Sequence, residues 1–281
     1  MKNDPYGPFR EPPLSNILQQ IIADKRVEVE QHKTATPLAE VIAAARATEP
    51  PRDFKGALTK PAPAGIHLIA EIKRKSPSAG IIREAFEPAR IAEVYQSAGA
   101  SAISILTDEK YFDGKLEYIA QVRKASNLPL LRKDFTIDAY QIAQARAAGA
   151  DAILLIAEVL SPKEIAEFAN IAADFGLSAL IEAHNEKELQ GVLDAFATGT
   201  PTNVIIGINN RDLTIQKTDV ATTARLSKML DASMTIVSES GIHARDDVVQ
   251  VQQVGAKAIL VGESILKVDD MAGKIKELLG M

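Results

Sequence analysis

The sequence predicts an α/β fold, a (β/α)8 TIM barrel with an N-terminal helical extension, and three observations predict it. First, one pattern repeats: a Gly-Ala turn, one residue, then Ala and a run of β-branched residues or Leu. It reads SAGASAISIL from Ser97, AAGADAILLI from Ala147 and QVGAKAILVG from Gln253. Gly99, Gly149 and Gly255 are 50 and 106 residues apart, two and four units of about 25, and FGLSALIE sets Gly176 one unit after Gly149. Second, the chain holds eight short, mainly apolar runs, the mark of parallel strands covered on both faces. Third, the first run leads into Arg74-Lys75-Ser76-Pro77. A doubly wound open sheet, the runner-up, would place a Gly-rich dinucleotide turn there.

Residues 1–64 form the extension. They carry two helical patterns, roughly Leu14–His32 and Pro37–Ala47, and then a Pro-rich connector through Pro61 and Pro63. Two placements stay open for it: a helix packed under the barrel, or a lid over one mouth. The barrel occupies residues 65–281. Its expected strands are Ile66–Ile72, Ala102–Leu106, Leu128–Lys133, Ala152–Ile156, Leu177–Glu182, Val204–Asn209, Thr235–Glu239 and Ala258–Val261. Helical patterns separate them, such as Pro162–Phe175 behind a Ser161 cap and Asp246–Val254 after the seventh strand. The glycine ahead of each repeat strand closes the preceding helix, where a left-handed backbone is wanted.

Composition narrows the function. The 281 residues include no cysteine, so disulfides, thiolate catalysis and Cys-based zinc sites are excluded, in keeping with a reducing cytoplasm. A net charge of −5 with no basic cluster argues against nucleic acid as a partner. The opening MKNDPYGPFREPP has no apolar core of a secretory signal, and no run of about 18 apolar residues would span a membrane. His32, His67, His184 and His243 show no metal-ligand spacing and read as structural or surface residues, so no metal is expected.

In such a barrel the chemistry sits at the C-terminal ends of the strands. Side chains alternate along a strand, so Glu71 and Lys73 share the inward face with Ile69, and Lys133 shares it with Leu131. By the same parity Glu182, Asn209 and Glu239 point inward. Each alone reads as a partly solvated strand end. Together, two lysines, three glutamates and an asparagine around one pocket read as a site, because charges there are costly to desolvate unless paired or bound to a ligand. Lys/Glu clusters also spread pKa values, giving an acid and a base at neutral pH. The seventh strand runs into Ser240-Gly241 and the eighth into Gly262-Glu263-Ser264, the loops where barrels hold phosphate.

Three readings fit this much: an acid–base enzyme acting on a phosphorylated small molecule, a Schiff-base enzyme using Lys133 or Lys73 as nucleophile, and a phosphate-binding barrel without catalysis. A phosphoribosyl isomerase would usually want a carboxylate or thiol acid/base pair, and the chain has no thiol.

The blocks IAEIKRKSPSAG (69–80), SILTDEKYFDG (104–114), LLRKDF (130–135), IEAHNEKEL (181–189), IGINNRDL (206–213), VSESGI (237–242) and LVGESIL (260–266) resemble the indole-3-glycerol-phosphate synthases over nearly the whole chain. The resemblance implies a cofactor-free lyase of tryptophan biosynthesis. It closes the pyrrole ring of 1-(2-carboxyphenylamino)-1-deoxyribulose 5-phosphate with loss of CO2 and water. It implies Lys133 as general acid, Glu182 as the carboxylate that transfers a proton in dehydration, and Lys73 as holder of the anthranilate carboxylate and a second proton donor. Glu71, Asn209 and Glu239 would orient substrate and lysines. Ser76 and Arg211 would line the site, and Ser240, Gly241, Gly262 and Ser264 would hold the phosphate. Pro77, Phe112, Leu131, Phe135, Leu213 and Val261 would form the aromatic pocket, and the N-terminal helices would help cover it. Ala79 and Ala85 depart from the usual Lys and acidic residue after the first strand, which bears on closure of that loop.

Overall fold

The computed structural model describes residues 16–62, 64–197, 199, 201–212 and 217–281. Eight parallel strands close into a barrel: β1 His67–Ile72, β2 Ala102–Leu106, β3 Leu130–Lys133, β4 Ala152–Ile156, β5 Ser178–Ala183, β6 Val204–Asn209, β7 Ile236–Glu239 and β8 Ala258–Val261. Each pairs with its sequence neighbours, and β1 pairs with β8 through His67 opposite Ala258 to Ala70 opposite Val261. The β3 strand starts two residues later than expected, because Pro129 has no amide to donate to the ladder; its carbonyl accepts from Ile103 instead.

The helices are α1 Asn16–Ala35, α2 Leu38–Ala47, α3 Phe54–Thr59, α4 Pro88–Ala98, α5 Glu109–Phe112, α6 Glu117–Ala125, α7 Ala139–Ala148, α8 Pro162–Asp174, α9 Glu186–Ala195, α10 Ala221–Leu226, α11 Arg245–Gln253, α12 Glu263–Leu266 and α13 Met271–Leu279. Ser161 caps α8 by a reciprocal bond with Glu164, as the Ser-x-x-Glu pattern leads one to expect. Gly99 and Gly149 end α4 and α7 at φ of 100° and 93°, a region a side chain would strain. None of the described helices is long and apolar enough to cross a membrane.

Strand alternation divides the core in two. Ile72, Ile103, Ile105, Ile153, Leu155, Ile181, Ile208, Ile259 and Val261 pack outward against the helices. Ile69, Leu131, Leu154, Leu180, Ile205, Val237 and Leu260 pack inside the barrel, joined there by Phe54 and Leu58 of α3. This is where the expected Pro-rich connector differs: Asp53 caps a short helix by accepting from the Gly56 amide at 2.7 Å, and that helix plugs the barrel's lower end. Arg52 and Asp151 fasten it there. The Asp151 carboxylate accepts from the amides of Arg52 and Leu130, and the Arg52 guanidinium donates to the carbonyls of Ser126 and Leu128.

The extension also reaches the opposite, C-terminal mouth. The Lys25 ammonium of α1, 1% exposed, lies 2.9 Å from Asp108 after β2 and 3.0 Å from Asp134 after β3. Different helices of the extension thus pack at opposite ends of the barrel, α3 at the lower end and α1 beside the loops after β2 and β3.

Candidate active site

A cavity of about 390 Å³ opens at the C-terminal ends of the strands, a volume suited to a small metabolite. Its floor is charged. The Lys133 ammonium lies 2.6 Å from Oε2 of Glu182 and 2.6 Å from Oε2 of Glu239. Lys73 pairs with Glu71 at 2.5 Å, and Asn209 donates to Oε1 of Glu182 at 2.9 Å. The strands impose this convergence, since each of these side chains lies two or four residues beyond an inward core residue.

Sterics fix the same cluster. A Cβ on Gly207 of β6 would come within 2.3 Å of the Glu239 carboxylate, and one on Gly262 within 2.6 Å of Glu71. Two carboxylates therefore occupy space that only glycine leaves free. Gly207 was not singled out from the sequence, although its inward register between Ile205 and Asn209 signals it.

Burial alone would strip the charge from Lys133, but Glu182, Glu239 and Glu71 outweigh it and hold the ammonium above the usual lysine pKa. Burial also pushes Glu182 up, yet Lys133 and His184 win and keep it well below the ordinary carboxylate value. Glu239 goes the other way. Burial and the neighbouring Glu182 charge raise it, to about 8, against the pull of Lys133. The site thus holds a fixed cation, an ionised carboxylate and a carboxyl that protonates near neutrality.

Above the floor stand two walls. Phe112 and Phe135, with ring centres 6.1 Å apart, join Leu18, Leu106, Leu154 and Ile156 on the apolar side. Opposite are Ser240, Gly241, Gly262 and Ser264, whose loops are tied by the Ser264 hydroxyl donating to the Ile242 carbonyl at 3.0 Å. Ser240 and Gly241 both take left-handed φ values, 66° and 75°, which turns this loop tightly under the cavity rim.

Some expected residues lie elsewhere. Val261 touches the rim, but its side chain belongs to the layer facing the helices, and Leu260 takes the inward position. Leu131 faces the barrel axis but is sealed below the cavity. Ser76 is buried in a tight turn where its hydroxyl accepts from the Ala79 amide, and Pro77 is exposed; neither lines the cavity. Lys75–Ser76 and Gly80–Ile81 form a small antiparallel hairpin that carries this segment outward. Arg211 lines the cavity and reaches that hairpin through Ser78. Leu213 lies outside the described residues.

Among the histidines, His184 is buried beside Glu182, and His243 borders the cavity. His184 sits two residues beyond Glu182 and shares its face, which is the signal that could have found it.

A family model described as indole-3-glycerol phosphate synthase matches residues 18–278. The chain is similar to proteins named indole-3-glycerol phosphate synthase from Roseiflexus sp. (strain RS-1), 46% identical over 95% of this chain and 99% of that one, and from Rhodopirellula baltica, 46% identical over 94% and 98%. A mutant tryptophan synthase alpha-subunit from Pyrococcus furiosus has a similar fold, with a TM-score of 0.56 at 16% identity, over 77% of this chain and 98% of that one.

Proposed function

The chain belongs to the indole-3-glycerol phosphate synthase family, carboxy-lyases of tryptophan biosynthesis, and from that premise we propose how its residues carry the reaction. The substrate is 1-(2-carboxyphenylamino)-1-deoxyribulose 5-phosphate, handled in the cytoplasm as a free small molecule. The single observation that carries the reading is the Lys133 ammonium buried between Glu182 and Glu239, beneath an apolar wall and opposite two Gly-Ser loops.

The phosphate rests against Ser240, Gly241, Gly262 and Ser264, and the aryl ring against Phe112 and Phe135. Lys73 receives the aryl carboxylate, and Glu71 aims it. The ring carbon bearing that carboxylate then bonds to the ketone carbon, the carbonyl electron pair moves to oxygen, and Lys133 supplies the proton. A developing alkoxide is a strong base, so an ammonium held above its usual pKa still donates to it and stabilises its charge. Departure of CO2 returns the carbon–carbon electron pair to the ring. The new hydroxyl leaves as water with a proton from Lys73, and Glu182 removes the ring C–H proton to complete the indole double bond. We assign α1 as a cover, because Leu18 lines the mouth and Lys25 ties the helix to two of its loops.

Adding this substrate to the purified protein should raise indole fluorescence with stoichiometric CO2 release. Borohydride trapping of a lysine adduct with no indole formed would instead favour the Schiff-base reading.

A further inference from the structure

The mechanism gives no part to the buried imidazole of His184. His184 closes β5 and is enclosed by three carboxylates from three elements: Glu182 on its own strand, Glu158 after β4 and Glu188 on α9. Nδ1 lies 3.1 Å from Oε2 of Glu188 and 3.9 Å from Glu158, while Nε2 lies 3.2 Å from Oε1 of Glu182. Glu188 is itself held, for Oε2 accepts from the His184 amide at 2.8 Å and Oε1 from the Asn185 side chain. These bonds fix the Glu188 carboxylate against the imidazole.

The opposite edge of Glu182 is the working one. Oε2 faces Lys133, while Oε1 accepts from Asn209 and lies 3.2 Å from Nε2 of His184, an ion-pair contact. We propose that His184 is a positioning residue: anchored through Nδ1 by Glu188 and Glu158, it presents Nε2 to Oε1 of Glu182 and so holds the Oε2 edge toward Lys133 and the reacting carbon. This rests on the assignment of Glu182 as the carboxylate that moves the proton. Burial works against charge on His184, but Glu182 and Glu188 outweigh it and raise its pKa to about 10, so the imidazole is cationic at neutral pH. Lys133, Asn209 and His184 then face Glu182 from β3, β6 and β5.

The test compares His184→Asn, His184→Leu and His184→Gln with Glu182→Gln in the full chain, measuring kcat, KM, the pH profile of kcat and thermal midpoint. Asn and Leu should lower kcat about tenfold or more, the scale of partners one step from a reacting group, with KM little changed. The acid limb of kcat should move to higher pH, since Glu182 loses a cationic neighbour. Gln, whose amide nitrogen reaches the place of Nε2, should recover much of kcat. Should Leu fail to fold, the Asn and Gln pair still decides the matter. A fall in thermal midpoint alone, with kcat and the acid limb as in the parent, would overturn the inference. An inactive Glu182→Gln beside an unimpaired His184→Asn would overturn it while sparing the mechanism. Full activity of Glu182→Gln would overturn the assignment of Glu182 and this inference together.

Discussion

At the scale of single residues, the site works by unequal environments. Three carboxylates and two ammonium groups lie close together, yet Glu182 is held ionised while Glu239 is pushed toward its protonated form. Lys133 touches and lowers both, so the difference comes from their other neighbours: His184 beside Glu182, and burial with the Glu182 charge beside Glu239. Lys133→Met keeps the side-chain length and removes the proton, so kcat should fall by at least about 100-fold, the usual contribution of a general acid, while substrate binding persists. Stopped assays with a binding titration would check it; full turnover would end the assignment. Ser264→Asp puts a carboxylate where the phosphate is read to lie and should raise KM about tenfold or more at nearly constant kcat. An unchanged KM would remove the phosphate from that loop. The inward glutamates and lysines were legible because strand parity is a local property. The roles of His184 and Gly207 were not, because each is defined by a neighbour on another strand or helix.

At the scale of elements, the N-terminal extension does two jobs that its sequence did not separate. Its third helix fills the lower end of the barrel with Phe54 and Leu58, both with no exposed surface. Its first helix lies at the upper mouth, where Lys25 joins Asp108, Asp134 and Glu28. Asp134 also accepts from Arg132 and Thr107, so the helix is tied into the strand end that carries Lys133. Removing the ammonium takes the Lys25 charge away from buried Asp108 and leaves Asp134 with Arg132. Lys25→Met should therefore cost about 3 kcal/mol, in the range for breaking one side of a buried pair. Urea unfolding would measure it, and a raised KM would accompany it as Leu18 leaves the cavity wall. A midpoint equal to the parent's would refute the anchoring role.

At the scale of the whole molecule, buried ion networks couple stability to pH. His184 has its pKa raised from 6.5 to about 10, so its contribution is complete below pH 6.5 and fades as the pH climbs toward 10. Asp134 has a lowered pKa through Arg132 and Lys25, against its burial, so its contribution holds above about pH 4 and is lost on acidification. The free energy of unfolding from urea titrations should fall from pH 6.5 to 9.5 by about 1 kcal/mol or more, and less in His184→Gln. An equal slope in both proteins would exclude His184 as the source. The sequence by itself determined the eight strands, their inward faces and the convergence of charge on one mouth, because period-two alternation and the Gly-Ala repeat are written along the chain. Tertiary structure alone decided which inward residues reach the cavity, as with Leu260 in place of Val261 and Leu131 sealed beneath it. It also decided where the extension docks and which carboxylate keeps its charge. Those outcomes depend on distances between segments far apart in the chain, and electrostatic and packing energies follow distance through space.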